Sequence, residues 1–417
     1  MNDRKLAVRL NGHLLGTLAL DIGGQMSFAY LSEAPRALSL SMPLREEPYN
    51  NSACEAFFGG LLPESSQARQ AIGRKFGINW NNTFRLLQAI GYDCAGAVSL
   101  HNPADSDSYP EWHELKTKPL SEKELANQIN ELPEKPLFIG IEGVRLSLAG
   151  AQDKAAVCII NNQVQLPSRG TPTTHILKPA IEAYESTLQN EYVCMRVAGR
   201  IGLNVPHVEI RKAADIPYLL IQRYDRESQG GGMIRRIHQE DFCQALGVLS
   251  ANKYQSDGGP GFKTCFDLMM KTSRPALARN CLAEMMVFNF LIGNWDAHAK
   301  NFSLLHVGPT DIRLARFYDV LCLAAYPDLA QKMAMKIDRH YDPEKVRAHH
   351  WERLCKTIGF GFPALKRIVI RQTEEIPIAA EAERELLSQT EFDAALADRL
   401  LDTIKHRCNV TRQLFSR

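Results

Sequence analysis

Residues 281–319 constrain this chain more than any other stretch. Cys281 to Ile292 is an apolar run of helical character, and Gly293 behind it reads as a helix stop. A polar loop follows, Asn294-Trp295-Asp296-Ala297-His298-Ala299-Lys300-Asn301, with Asp296, His298 and Asn301 spaced as Asp-x-His-x-x-Asn. The apolar segment Leu314 to Phe317 then leads to a second carboxylate in Phe317-Tyr318-Asp319. Acid, amide and later acid is the order that phosphoryl transfer on a kinase-like scaffold needs. The first Asp orients an attacking hydroxyl, and the amide and the later Asp hold Mg²⁺. The loop taken alone reads equally well as a polar turn between a helix and a strand, since turns favour Asp and Asn.

A chain of 417 residues is too long for one ordinary core, so two or three domains are expected. A net charge of +2 argues for neither a nucleic-acid nor a membrane surface. There is no apolar run long enough to span a bilayer, and Met1-Asn2-Asp3-Arg4-Lys5 leads into alternating residues instead of a signal core. The ten cysteines are scattered singly, with no Cys-x-x-Cys pair. Cys158, Cys194, Cys243, Cys281 and Cys322 stand in apolar surroundings and read as small buried hydrophobes. That usage argues against structural zinc and for a reducing, cytoplasmic setting.

The first hundred residues read as a small mixed subdomain, 1–104. Leu6, Val8 and Leu10, then Asn11-Gly12, then a run to Leu20 signal a hairpin. Met26-Phe28-Tyr30 and Leu38-Leu40-Met42 alternate as further strands. The pattern is helical from Ala56 to about Gly91, with a fresh start at Pro63-Glu64-Ser65-Ser66, and Ala97 to Leu100 is a strand. His101 to Pro119, polar and carrying Pro103, Pro110 and Pro119, reads as a linker, and Leu125 to Leu132 as a short helix.

Residues 105–225 are strand-rich. Val144-Arg145-Leu146-Ser147-Leu148 alternates, Ala149-Gly150-Ala151-Gln152 breaks it, and Ala155 to Ile160 resumes. A small-residue turn lets backbone N–H groups approach a phosphate, although a plain hairpin accounts for it as well. Thr174-His175-Ile176-Leu177-Lys178 reads as a strand ending in a Lys, which is either a phosphate-binding point charge or a surface lysine. Asn190 to Ile201 is a helix; Glu191 in its first turn either pairs with Lys178 or favours the helix N-terminus. Strands at Val208–Ile210 and Tyr218–Ile221 lead to Gln222-Arg223-Tyr224-Asp225-Arg226 and Gly230-Gly231-Gly232, as a hinge between two lobes would. From 226 to 417 the expectation is almost wholly helical: Gln239–Leu249, Phe266–Met270, Cys281–Ile292, Trp351–Ile358, Ala364–Arg371, Glu381–Leu387 and Phe392–Phe415.

Several segments together resemble the HipA-type toxin kinases of bacterial type II toxin–antitoxin modules. They are Phe58-Gly59-Gly60-Leu61-Leu62-Pro63-Glu64, Leu146 to Lys154, Pro172 to Lys178, Gln189-Asn190-Glu191-Tyr192, Gln239 to Gln244, Tyr254 to Gly261, Asp296 to Ser303, Phe317-Tyr318-Asp319 and Met333-Ala334-Met335-Lys336. They stand in the family's order along nearly the whole chain except the last helices. The resemblance implies an α+β, bilobal protein-kinase-like fold, with a mixed N-terminal subdomain and a mostly α-helical C-terminal lobe. It implies a Ser/Thr protein kinase using ATP and Mg²⁺. Leu148, Ala149, Gly150, Ala151 and Gln152 would then cover the phosphates and Lys178 would bind them. Gln222 and Tyr224 would lie at the adenine hinge, with Gln222 where Glu is the family expectation. Asp296 would be the catalytic carboxylate, Asn301 and Asp319 the Mg²⁺ ligands, and His298 a neighbour of the nucleotide phosphates. Ser147 matches the family's autophosphorylation serine, whose modification expels the loop and switches the enzyme off. The implied partners are a HipB-like helix-turn-helix antitoxin, operator DNA mainly through that antitoxin, and a protein substrate such as an aminoacyl-tRNA synthetase. Two other classes fit the same loop: a phosphotransferase acting on a small molecule or lipid, and a non-catalytic antitoxin-binding corepressor.

Overall fold

The computed structural model describes residues 4–104, 112–139, 141, 146–168, 170–181, 183–228, 230–390, 392 and 394–416. Val144 and Arg145 of the expected strand, and Pro110 of the expected linker, lie outside these. Two compact units form, and neither is continuous in sequence. The first takes Met1–Pro179, Arg211–Ala251 and Leu304–Asp311; the second takes Ala180–Ile210, Asn252–Ser303 and Ile312–Arg417.

In chain order the strands are β1 (Lys5–Leu10), β2 (His13–Leu20), β3 (Met26–Tyr30), β4 (Val98–His101), β5 (Trp112–Glu114), β6 (Thr117–Pro119), β7 (Ala155–Ile160), β8 (Gln163–Pro167), β9 (His175–Pro179), β10 (Val208–Ala213), β11 (Ile216–Gln222), β12 (Arg226–Ser228), β13 (Met233–Arg236), β14 (His238–Asp241), β15 (Ser303–His306) and β16 (Ile312–Leu314). One sheet has the order β3-β2-β1-β4, a second β10-β11-β9-β7-β8-β6, and a third β12-β13-β5. Alternation explains the first: Leu6, Val8 and Leu10 of β1 are buried and their neighbours are not. Helices Asn51–Phe58, Ser66–Phe76 and Thr83–Ile90 pack beside it, each opened by a side-chain cap from Asn50, Ser65 or Asn82. One apolar core runs from Leu6, Phe28, Phe57 and Phe84 through Leu137, Leu146 and Leu148 to Ala155, Leu177 and Leu220. Each buried Leu or Phe side chain of it contributes about 1.5–3 kcal/mol. That shared core binds the N-terminal segment to the strands that carry the expected phosphate loop.

Several elements differ from the local sequence pattern. Leu38–Met42 forms no strand, only the isolated bridge Ser39–Met42. The Glu240 carboxylate captures that segment by accepting from the Ser39 hydroxyl and the Leu40 N–H. The expected linker carries β5 and β6. Gly230-Gly231-Gly232 lies in the turn between β12 and β13, and Arg226–Ser228, Met233–Arg236 and His238–Asp241 are strands, not helix. The helix expected from Gln239 begins at Phe242, because Asp241 and Gln244 form a capping box there.

The second unit is mostly helical, with helices Thr187–Arg200, Phe262–Leu268, Pro275–Ile292, Ala348–Ile358, Phe362–Ser388 and Ala394–Ser416. Ala364–Arg371 and Glu381–Leu387 are thus one helix, continuous through Pro377. A proline inside a helix costs about 3 kcal/mol. Burial of Ile376, Ala379 and Ala380 on either side of it opposes that cost. So does the Glu383 carboxylate, buried against Arg196 and Arg200. Cys158, Cys194, Cys243 and Cys322 are buried as expected, while Cys281 is half-buried. Among the described residues, no helix is long and apolar enough to cross a membrane.

Candidate active site

In the first unit the loop ahead of β7 is gripped from both ends. Leu146 pairs with Asp93, and the Ser147 N–H donates to the Asp93 carbonyl at 2.8 Å. Ser147 is fully buried and its hydroxyl donates to the Leu61 carbonyl at 2.6 Å. Gly150 bridges to Pro63, and the Glu64 N–H donates to the Gly150 carbonyl at 3.0 Å. Leu148 is buried, Ala149 half-buried and Ala151 exposed. The loop therefore lies along Leu61-Leu62-Pro63-Glu64.

Gly150 has φ +109°, a conformation that side chains disfavour, and a Cβ there would lie 2.3 Å from the Lys154 ammonium. That ammonium donates to the Ala149 carbonyl at 2.8 Å. Lys154 was not among the candidate residues; a lone Lys before a strand carries no distinguishing signal. A cradle that any Cβ would crowd, with a cation beside it, is suited to an anionic phosphate.

Gln152 ties the loop to β9, its amide donating to the Pro179 carbonyl at 3.1 Å. The neighbouring Lys178 is buried and faces Leu219 of β11 in register. Gln222 ends β11, opposite His175 and exposed, and Tyr224 is half-buried two residues on. Between and beyond them stands a buried charge cluster that sequence reading missed. Arg223 donates to both oxygens of Asp225 (2.9 and 2.7 Å) and to Thr173 (2.9 Å). Arg226 pairs with Asp93 (3.0 Å) and Asp225 (2.9 Å), and Arg236 with Asp93 (2.8 Å). Burial alone would raise both carboxyls. The guanidiniums of Arg226, Arg236 and Arg223 overcome it at Asp93, and those of Arg223 and Arg226 at Asp225, holding both below the usual carboxylate range. Burial, helped by the Arg223 charge, lowers Arg226 to about 10. The density of charge in Arg223–Arg226 was the available signal, but its partner Asp93 is remote in sequence.

In the second unit, helix Pro275–Ile292 closes at Gly293, as expected. Trp295 is a buried anchor. Its indole donates to Gln331 at 2.8 Å, its carbonyl accepts from Ala334 at 2.7 Å, and the Arg407 guanidinium lies 4.3 Å over its ring. The loop then folds around the Asp296 carbonyl, which accepts from the His298 N–H (2.7 Å) and the Asn301 amide (3.1 Å). The Asp296 carboxylate is half-exposed. Its Oδ1 accepts from the Tyr254 hydroxyl at 2.7 Å, and its Oδ2 lies 3.9 Å from His298 Nε2. His298 and Asn301 are buried.

Asn301 spends its N–H₂ on Asp296, which leaves the amide oxygen as the group that a hard cation takes. Asp319 sits with φ +59°, in the left-handed region that Asp tolerates. The Tyr318 hydroxyl beside it donates to the Lys300 carbonyl at 2.7 Å and meets Ser303 at 2.7 Å, tying the Asp319 segment to the loop. Among the described residues no group of three His, Cys, Asp or Glu side chains could hold a metal. An amide and a carboxylate fit Mg²⁺, which is held by few protein ligands and completes its shell with phosphates and water. Glu191 is buried in the second turn of helix Thr187–Arg200, not the first, so the helix N-terminus does not account for it.

Residues 6–101 match the HipA N-terminal domain, and residues 146–382 match the HipA-like C-terminal domain. The chain belongs to the HipA family. The Serine/threonine-protein kinase toxin HipA of Shewanella oneidensis is 30% identical over 354 residues, 82% of this chain and 79% of that protein. Y4mE of Sinorhizobium fredii is 40% identical over 427 residues, 99% of each chain. A solved structure of the Shewanella oneidensis MR-1 toxin antitoxin system, with HipA, HipB and operator DNA, matches with a TM-score of 0.87 at 26% identity. It covers 99% of this chain and 98% of that one. The α+β, kinase-like fold expected from the HipA resemblance is thus the fold of the chain. Every candidate residue from Ser147 to Asp319 falls in the HipA-like C-terminal region, while Leu61–Glu64 and Asp93, which hold the loop, fall in the HipA N-terminal region.

Proposed function

We propose that this HipA-family chain is a Ser/Thr protein kinase using ATP and Mg²⁺, acting as the toxin of a toxin–antitoxin pair. The observation that carries the reading is the Asp296 loop: a half-exposed carboxylate on a backbone locked by His298 and Asn301, with Asp319 fastened to the same loop through Tyr318. Rigid placement is what phosphoryl transfer asks of a protein, since positioning and charge supply most of the catalysis. In this reading residues 105–225 work as the nucleotide lobe and 226–417 as the catalytic lobe, with 1–104 as an accessory subdomain.

Asp296 takes the proton of a target Ser or Thr hydroxyl as its oxygen bonds to the γ-phosphorus and the bond to ADP breaks. Lys178 and the loop 148–152 bind the phosphates, and His298 stands near them. Gln222 and Tyr224 contact adenine; Gln222, a neutral amide, offers a carbonyl acceptor in place of a carboxylate. Asn301 and Asp319 would hold Mg²⁺, which would neutralise phosphate charge. Ser147 is the self-modified residue. Its hydroxyl is buried on the Leu61 carbonyl, so a phosphate there could not return to that seat, and the loop would stay displaced. The partners of the reading are a HipB-like helix-turn-helix antitoxin, operator DNA through it, and a cytoplasmic protein substrate such as an aminoacyl-tRNA synthetase.

Labelled ATP and Mg²⁺ incubated with the protein and cell lysate test this. Transfer to a lysate protein is expected from the wild type. Asp296→Asn is expected to lose at least about a thousandfold in rate while keeping ATP binding. Near-normal transfer by Asp296→Asn removes the assignment.

A further inference from the structure

Two sequence motifs have no role in the transfer chemistry above: Tyr254 to Gly261 and Met333 to Lys336. In the second unit both converge on the catalytic loop. The Tyr254 hydroxyl donates to Asp296 Oδ1 at 2.7 Å, and its ring stands edge-on to His298 with centroids 5.1 Å apart. The backbone of its own loop fixes the tyrosine. The Asp257 and Gly259 N–H groups both donate to the Tyr254 carbonyl, at 3.1 and 2.9 Å. Position 259 admits only glycine, because a Cβ would lie 2.0 Å from the Asn252 carbonyl oxygen.

The second motif ties that loop to the catalytic one. The Gln255 N–H donates to the Ala334 carbonyl (3.2 Å), and the Lys336 N–H donates to the Gln255 side chain (2.8 Å). The Ala334 N–H donates in turn to the carbonyl of Trp295, the residue before Asp296 (2.7 Å). Donor and acceptor of the Tyr254–Asp296 bond are thus held on one continuous hydrogen-bonded frame.

We propose that Tyr254 is a positioning residue of the phosphoryl-transfer reaction: its hydroxyl holds Asp296 Oδ1 so that Oδ2 is presented to the acceptor hydroxyl. The inference rests on the kinase reading. A half-exposed carboxylate on a free side-chain torsion presents either oxygen in many directions. One fixed, charge-assisted donor selects a single presentation, and such bonds are stronger than neutral ones. Nucleotide binding does not depend on this selection, so its loss falls on turnover.

The test compares wild type, Asp296→Asn and Tyr254→Phe, each shown by mass to start without phosphate at Ser147. Tyr254→Phe is expected to lower kcat about ten- to a hundredfold, with ATP KM, calorimetric ATP Kd and Tm unchanged. Added to Asp296→Asn it is expected to lower the residual rate no further. Its crystal structure is expected to show the Asp296 carboxylate in more than one orientation. Wild-type kcat in Tyr254→Phe overturns the proposal, as does a loss of Tm and ATP affinity in step with kcat, which marks a merely structural contact. A wild type that transfers no phosphate brings down the kinase reading and this proposal together, whereas wild-type transfer with a fully active Tyr254→Phe removes the proposal alone.

Discussion

Gly150 is the residue at which chain conformation and candidate chemistry meet most tightly. Its φ of +109° costs a side chain about 1–3 kcal/mol. Gly150→Ala would also press a methyl group against Lys154, whose ammonium can shift, so conformation sets most of the penalty. The expected result is a stability loss of that size and an ATP affinity about tenfold weaker. Urea denaturation and calorimetric titration measure the two, and an Ala variant equal to wild type in both would contradict the cradle. The Asp296 motif was legible because its residues are neighbours in sequence. Tyr254 and Lys154 were not legible as site residues. A tyrosine on another loop and a lysine beside a turn acquire meaning only through contacts of 2.7 and 2.8 Å that no local pattern encodes.

At the scale of elements, the Asp93–Arg226–Arg236–Arg223–Asp225 cluster fixes the turn after helix Thr83–Ile90 against the segment that follows β11. Both carboxyls have folded-state values below the ordinary one. Their stabilisation is therefore complete above about pH 4 and is lost as pH falls toward the folded values. Asp93→Asn leaves guanidiniums buried without their partner and is expected to cost about 3–5 kcal/mol at pH 7. The variant should also lose less than wild type between pH 4 and pH 2. Urea midpoints across that range decide it; equal midpoints at pH 7 would show that the cluster does not stabilise the fold. Elements with a strong local pattern were readable, such as β1, β7, β9 and helix Pro275–Ile292. Those decided by distant partners were not. Glu240 turned an alternating Leu38–Met42 away from strand, and the Glu383 ion pairs hold a helix together beyond Pro377. The last helix, Ala394–Ser416, lies beyond the matched family region, yet its Arg407 covers Trp295.

For the whole molecule, discontinuity is what hid the architecture. The first unit collects three stretches and the second three, so no single composition shift marks a boundary. One core cluster also takes Leu6 and Phe57 together with Leu148 and Leu177, from both sides of residue 104. One consequence is that Ser147 is seated on Leu61, a residue of the N-terminal region, so the self-modification proposed for this family member must break a contact between those two segments. The most direct test of the account is to strip the protein of phosphate, add ATP and Mg²⁺, and map the product by mass spectrometry. Phosphate at Ser147 in the wild type, and none in Asp296→Asn, is the predicted result. An unmodified wild type that nonetheless binds ATP, or equal modification in Asp296→Asn, would contradict it.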